Sequence, residues 1–381
     1  MEVILRRMKN NLLASGITNK KLAIELKMRE SRLSECLNGK RTFAFYSFSQ
    51  ILINHFTKDN TFSRLAISEY CKTIKGNINI RIALEYAHAR GEFALLKLLI
   101  KKARDSKNKE NHDRADVYEL FYKRGMEGLV KNKLLQEVKK LKERVKTEEL
   151  RILLDILQCL GSYDKGSYVL LQEEAYLVRD KIEKQINDKT GFMKESFTAK
   201  INDVIHIVDL TMGNIEQVRK YGDELVVYLD RIKMFPISQA STLSAIGESY
   251  IFDNYEKSHS YFLQALEVLE NSFNEKMIAK RNRIIATLDF LKIYWDKELN
   301  TLTPIDNSEK AYFEIKKGNN GRAIKILNEI IKERDHLTAF ETCYLGLAKN
   351  DKGLIQESLV MLERKGNIYY SQLPKKILGI I

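Results

Sequence analysis

STLSAIGESYIFDNYEKSHSYFLQALEV occupies Ser241 to Val268. Its first half sets Leu243, Gly247 and Tyr250 along one helical face. Its second half repeats Tyr255, Ser258, Phe262 and Ala265 at spacings of three, four and three residues. Steps of three and four keep side chains on the same side of an α-helix. The stretch therefore reads as two helices joined by a turn around Asp253. The small residues let the paired backbones approach, and the aromatics fill the holes between them. This is the tetratricopeptide pattern, shortened by one residue in the turn after Asp253.

Working outward, the same kind of unit recurs. Ala311, Gly318, Ala323 and Leu327 mark a second pair, and Gly213, Ile215 and Val218 a degenerate one. Tyr344-Leu345-Gly346 with Gly353 marks another. Looser pairs precede them: Ile80–Arg90 with Phe93–Ala103, Val117–Leu129 with Leu134–Val145, and Glu148–Leu160 with Ser167–Ile182. Stacked pairs build a right-handed superhelix whose concave side suits an extended peptide. Positions beside the packing face of each first helix are expected to line that concavity. They are Ser241, Ser244, Glu248 and Ile251; Asp203, Ile207 and Leu210; and Ser308, Glu309 and Tyr312. Carboxylates there, in a basic chain, point to a cationic ligand. The plain alternative is ordinary surface carboxylates.

Composition agrees with an all-α chain. Its 381 residues are 44% hydrophobic and 30% charged, with only 3 prolines. No apolar run reaches the roughly 18 residues a membrane span needs. The apolar part of the N-terminus is too short for a secretory signal. Cys36, Cys71, Cys159 and Cys343 are scattered without a CxxC pair, so neither a disulfide framework nor a zinc site is expected. A reducing cytoplasm fits. The histidines do not cluster, and HExxH, Walker, GxGxxG and GxSxG motifs are absent. Neither enzymatic activity nor a cofactor or metal is expected.

The net charge is +13, and residues 1–56 hold ten Lys and Arg against four Glu. Concentrated positive charge suggests an anionic partner, nucleic acid first. Within this head, NKKLAIELKMRESRLSECLNGKR runs from Asn19 to Arg41. Val3 to Leu13 reads as a first helix. Thr18 is a suitable N-cap for a second, carrying Leu22, Ala23 and Leu26. Lys27-Met28 makes the turn, at a place where Gly is common. Arg29 to Leu37 is the third helix, held to the core by Leu33 and Leu37, and Asn38-Gly39 ends it. Phe45 to Phe56 gives a fourth.

This order is that of a helix-turn-helix of the phage-repressor type, its third helix entering the major groove. Ser31 and Arg32 would reach base edges, with Arg29 and Glu35 beside them. Asn19, Lys20, Lys40 and Arg41 would sit on phosphates. Cys36 is expected to be inert. The alternative is a four-helix cap with a solvated basic face.

The chain thus divides into a reading head (1–56), a superhelix (57–366) and a terminal cap (367–381), the layout of a ligand-gated transcription factor. It resembles the arbitrium-peptide receptors of Bacillus phages (AimR), among the peptide-sensing Gram-positive regulators. The likeness lies in the head, in ALEYAHARGEF (Ala83–Phe93), and in Gly247, Tyr250, Asn254-Tyr255 and Tyr261-Phe262-Leu263. It continues in LDFLKIYW (Leu288–Trp295) and in AIKIL (Ala323–Leu327) after Gly318.

The resemblance implies a cytoplasmic homodimer that binds operator DNA and activates a lysogeny-controlling transcript. A phage-encoded hexapeptide, typically ending Arg-Gly-Ala, would occupy the superhelix and switch the receptor off. An Arg in that peptide would meet Glu248 or Glu309. Its carboxylate would meet Lys233, with Lys200 as the fallback. Ile207 stands near a place where the family has an amide, flanked by Asn202, Asp203 and His206. The stretch Met234–Gln239 is about one helical turn longer than the family's. Asn367, Tyr369 and Tyr370 would close the pocket.

The tail carries Leu373, Ile377, Leu378, Ile380 and Ile381. The resemblance implies a two-fold dimer contact there. The alternative is a last cap on the chain's own superhelix. Two rival functions stay open: a repeat adaptor that binds a protein partner without DNA, and a host peptide-responsive regulator of sporulation or competence.

Overall fold

The computed structural model describes residues 1–57, 59–126, 128, 131–165 and 168–381, leaving aside the side chains of 131 and 164–165. Among them every regular element is an α-helix. The expected helix end at Leu129 and start at Ser167 lie outside the described residues. The chain forms two compact units. The first comprises Met1–Val130, Gln136–Leu154 and Gln185–Ser196; the second comprises Lys131–Leu135, Asp155–Lys184 and Phe197–Ile381.

The first unit opens with α1 (Glu2–Ala14), α2 (Asn19–Glu25), α3 (Glu30–Leu37) and α4 (Phe45–His55). These are the four helices expected in the head, within a residue or two at each end. The Thr18 hydroxyl accepts the Lys21 N–H at 3.2 Å, as an N-cap does. Lys27 turns the chain from α2 to α3 at φ 50°, the left-handed region where Gly is at ease. Gly39 leaves α3 at φ 74°. Met8, Leu22, Leu33, Phe45 and Phe48 are fully buried and give these helices their common core.

The chain continues as α5 (Asn60–Thr73), α6 (Asn77–Ala89), α7 (Phe93–Arg104) and α8 (Lys109–Met126). It then runs through α9 (Lys131–Arg144), α10 (Glu148–Lys165), α11 (Tyr168–Gln185) and α12 (Phe192–Met212). Polar groups knit the interior of the first unit. Glu85 of α6 is buried and accepts from the Tyr118 hydroxyl at 2.6 Å and from Ser196.

The second unit contains the repeats: α13 (Ile215–Ile232), α14 (Pro236–Ser249), α15 (Tyr255–Val268) and α16 (Glu275–Tyr294). They are followed by α17 (Asn307–Lys316), α18 (Asn320–Arg334), α19 (Ala339–Lys349), α20 (Lys352–Arg364) and α21 (Gln372–Leu378). The helix expected from Ser241 begins earlier, because Pro236 is preorganised for a first helical position.

Glycine decides how closely the pairs cross. A Cβ on Gly247 would stand 3.2 Å from the Phe262 ring and 3.3 Å from the Ser258 carbonyl oxygen. Instead, the Ser258 hydroxyl donates to the Gly247 carbonyl at 2.8 Å. Gly346 plays the same part between α19 and α20, where a Cβ would meet Ile355 Cγ1 at 2.7 Å.

The core of this unit extends from Leu210 to Leu373. Tyr312 and Tyr344 stack inside it at 4.6 Å. Leu373 is buried there by its own chain, and Ile377 and Leu378 pack partly buried against it. The large apolar side chains the tail leaves exposed are those of Ile368, Ile380 and Ile381. Leu373, counted above toward a dimer contact, is therefore a capping residue: burial within its own unit already takes up its surface.

Among the described residues no helix is long and apolar enough to cross a membrane, and no group of His, Cys, Asp and Glu could hold a metal. The four cysteines are buried and unpaired with one another.

Candidate functional site

A cavity of about 160 Å³ opens in the second unit, lined by Ile251, Ala286, Thr287, Phe290, Glu309, Phe340 and Tyr370. The repeat architecture brings these together. Ile251 follows α14, three residues come from α16, Glu309 opens α17, and Phe340 opens α19. Phe290 meets Phe340 edge-on at 5.7 Å, and Phe340 meets Tyr370 likewise at 5.7 Å. Glu309 Oε2 is enclosed and has no hydrogen-bond partner. Burial pushes the Glu309 carboxyl well above the usual carboxylate range, the Asp306, Asp289 and Glu341 carboxylates push the same way, and the neighbouring Tyr344 hydroxyl pulls it down in part. A carboxyl so enclosed, with aromatic rings around it, has the chemistry to attract a cation. The acid ionises when the cation arrives, and the ring faces add attraction.

Glu248 is different. Ser244 donates to its Oε1 at 3.1 Å, and the Tyr370 hydroxyl donates to its Oε2. Tyr369 donates to its backbone carbonyl at 2.5 Å. Its own chain thus satisfies both of its oxygens, whereas Glu309 Oε2 is left without a partner. Tyr312 is buried behind the cavity, between the rings of Phe290 and Tyr344. Tyr369 is also buried and braces Glu248 from behind. Asn367 accepts the Tyr370 N–H at 3.1 Å and shapes the turn that delivers Tyr370.

On α12, Asp203 accepts from Ser238 at 3.0 Å through Oδ2, while Oδ1 has no partner. Burial raises its carboxyl to about 6, against the pull of Lys280, Lys276 and Lys200. His206 is buried; burial lowers it to about 4, and its Nδ1 has no partner. Asn202 and Ile207 are half-buried on the same helix. Lys280 of α16 is withdrawn from water, which lowers its pKa, and both Glu248 and Asp203 pull it back up.

Lys233, the expected carboxylate clamp, is exposed and ends α13 with φ 56°. Lys280 was missed, although a signal for it existed. Lys276, Lys280, Arg283, Thr287 and Phe290 recur at four, three, four and three residues, one stripe down α16.

In the head, Lys20, Arg29, Ser31, Arg32, Glu35, Lys40 and Arg41 are exposed, and Asn19 is half-buried at the start of α2. Leu33 and Leu37 are buried on the other side of α3. Glu35 pairs with Arg41 at 3.5 Å. Cys36 is buried, and burial raises its thiol, the condition of an inert cysteine.

Comparison with known proteins adds relatives to this geometry. An uncharacterized protein of Bacillus anthracis is 33% identical over 254 residues, 66% of this chain and 93% of its own length. The AimR transcriptional regulator of Bacillus phage SPbeta is 21% identical over 316 residues, 81% of this chain and 78% of its own. The solved structure of phAimR superposes with a TM-score of 0.73 at 20% identity, covering 99% of this chain and 96% of that one. A phAimR-ligand structure gives the same score over 86% and 95%. Both share the fold. The sequence model of the AimR transcriptional regulator-like family matches residues 63–379. By that match, which spans most of its length, the chain belongs to the AimR transcriptional regulator-like family.

Proposed function

We propose that the protein is a peptide-gated transcription regulator of a phage or prophage, acting in the host cytoplasm. Residues 1–56 bind operator DNA, residues 57–366 hold a short peptide, and residues 367–381 cap the repeats and contribute to a homodimer. Peptide binding switches operator binding off and so sets the choice between lysis and lysogeny. The observation that carries this reading is the enclosed, unpartnered Glu309 oxygen in an aromatic cavity. In a family of transcription regulators whose AimR member phAimR has been solved with a ligand, such a cavity is the natural peptide anchor.

The peptide's cationic side chain enters the Glu309 cavity. Its free carboxylate lies toward Lys280, near Asn202, Asp203, His206 and Ile207. In the head, Ser31 and Arg32 read bases while Asn19, Lys20, Lys40 and Arg41 hold phosphates, with Arg29 and Glu35 at the edges of the same face. Ile377, Leu378 and the exposed Ile380 and Ile381 supply the apolar part of the dimer contact.

The test has two arms. The first is calorimetry of the full chain with a hexapeptide ending Arg-Gly-Ala. The second is selection of bound duplexes from a random pool, followed by titration with and without that peptide. Binding of peptide together with release of selected DNA is expected. A chain that selects no DNA, or whose DNA binding ignores a bound peptide, overturns the proposal.

A further inference from the structure

The positive charge of this protein is not confined to its head. The first unit holds 33 Lys and Arg against 20 Asp and Glu, a net +13. The second unit holds 31 against 31. Residues 1–56 account for ten cations and four carboxylates of the first unit. More than half of its excess therefore lies on α5 to α10 and the short segment before α12.

Hydrogen bonds show where some of this excess meets the head. The loop after α3 carries Lys40 and Arg41 and ends at Phe43 and Phe45. The Tyr70 hydroxyl donates to the Phe43 carbonyl at 2.6 Å. The Phe45 N–H donates to Asn79 Oδ1 at 3.0 Å, and the Asn79 amide donates to the Lys75 carbonyl at 3.0 Å. One step further, the Asn111 amide donates to Asn77 at 2.9 Å and to Ser106 at 3.0 Å. Three loops are tied edge to edge: the one after α3, the one before α6, and the one before α8.

They present Lys40, Arg41, Lys75, Lys107 and Lys109, all exposed; of the nearby carboxylates, Glu35 pairs with Arg41 and Glu110 with Arg114, which leaves Asp105 beside the lysines. Lys75, Lys107 and Lys109 have no ion pair among the described residues. Uncompensated cations at neighbouring loop edges are costly to keep together unless an anion visits them. A row that continues from the loop next to a DNA-reading helix matches a polyanion of extended shape.

We propose that Lys75, Lys107 and Lys109 form a second phosphate-contacting row, continuous with the head, so that duplex DNA runs from α3 onto the body of the first unit. This rests on the reading of the head as a DNA binder. The row holds the backbone without reading sequence, so it acts on any duplex.

The test uses the full chain and a labelled random-sequence duplex of about 40 base pairs, titrated across salt from about 50 to 200 mM. Each phosphate contact contributes about 0.9 to the slope of log affinity against log salt. The triple variant Lys75→Gln, Lys107→Gln, Lys109→Gln should lower that slope by about 2.7. A control triple on the second unit, Lys349→Gln, Lys352→Gln, Lys365→Gln, should leave the slope unchanged. Melting temperature and peptide binding report whether each variant is folded.

If Lys40→Gln lowers the slope and the first triple does not, the row is refuted and the reading head stands. Equal losses from the two triples would reduce the effect to net charge and also refute the row. A wild-type chain without salt-dependent binding would overturn the DNA reading itself, and the row with it.

Discussion

Glu309→Gln is the substitution whose consequences are most sharply defined. In the empty protein the Glu309 carboxyl is enclosed, unpartnered and raised well above its ordinary value by burial. The folded state therefore binds this proton more tightly than the unfolded chain does. That contribution to stability is complete below the unfolded carboxyl's value and is lost as pH rises through the folded one. Each unit of separation corresponds to about 1.4 kcal/mol. Glutamine keeps the shape and removes the titration. Unliganded Glu309→Gln should thus melt higher than wild type at neutral and alkaline pH, by about 2–4 °C for each kcal/mol relieved in a unit of this size. The two proteins should converge in acid.

With a peptide the sign reverses. Removing one partner of a buried charge pair costs about 2–5 kcal/mol, an affinity loss of roughly 30-fold to several thousand-fold. Differential scanning against pH, with calorimetry using an Arg peptide and its Arg→Gln analogue, measures both effects. Because the two charges form one pair, the peptide substitution should have little further effect on the Glu309→Gln protein. Equal losses for both peptides, or a lower melting temperature of the empty variant at neutral pH, would refute the reasoning.

Five further substitutions test the surroundings. Asp203, raised to about 6, makes the fold less stable as pH rises from about 4 to 6, whereas His206, lowered to about 4, makes it more stable over the same window. Relative to wild type, Asp203→Asn should gain melting temperature as pH rises through that window, and His206→Phe should lose it; profiles parallel to wild type would show that neither group is held as described. Gly346→Ala places a Cβ 2.7 Å from Ile355 Cγ1 and 3.0 Å from the Asp351 carbonyl oxygen and the Ile355 nitrogen, so it should destabilise by about 1–3 kcal/mol. Gly321→Ala, with nothing within 4 Å, should stabilise by up to about 1 kcal/mol in the same denaturant titration. Lys27→Gly relieves a left-handed turn and should raise the denaturant midpoint of the head by no more than about 1 kcal/mol in stability; a loss would show that the turn is not strained.

The repeats were legible because their determinants are local. Gly247 lies opposite Phe262 across a single turn, and spacing alone exposes that relation. Thr18, Gly39 and the buried face of α3 were legible for the same reason. The site was less so, because its walls come from distant parts of the chain. Phe290, Phe340 and Tyr370 lie on different elements, and no periodicity links them. Ser244 and Tyr312 occupy the expected helix positions, while Ile251 falls in the turn after α14; packing buries all three, and of these Ile251 lines the cavity. The choice between Glu248 and Glu309 depends on Tyr370, more than a hundred residues from Glu248 in the chain, so sequence alone left it open.

The contrast between those two carboxylates also shows how an occupied cavity could be felt elsewhere. A ligand switches a protein only if it favours one arrangement over another. Within the proposed switch, Tyr370 has two engagements: its ring walls the cavity and its hydroxyl satisfies Glu248. A cation drawn to Glu309 enters beside that ring. Any shift of Tyr370 then takes a charge-assisted hydrogen bond from Glu248, leaving Ser244 and Lys280 to compensate. The strain falls next on α21, which starts two residues on. That helix is fixed by Leu373 in the core and by Lys376, which donates to the Phe252 carbonyl at 3.2 Å and the Tyr294 hydroxyl at 3.0 Å. One or two hydrogen bonds to charged groups amount to about 1.5–3 kcal/mol each, and a coupling of about 1–3 kcal/mol already changes affinity at a second site roughly 5- to 150-fold. A ligand need not reshape the repeats to act. Redistributing the contacts among Glu309, Tyr370 and Glu248 is sufficient in magnitude.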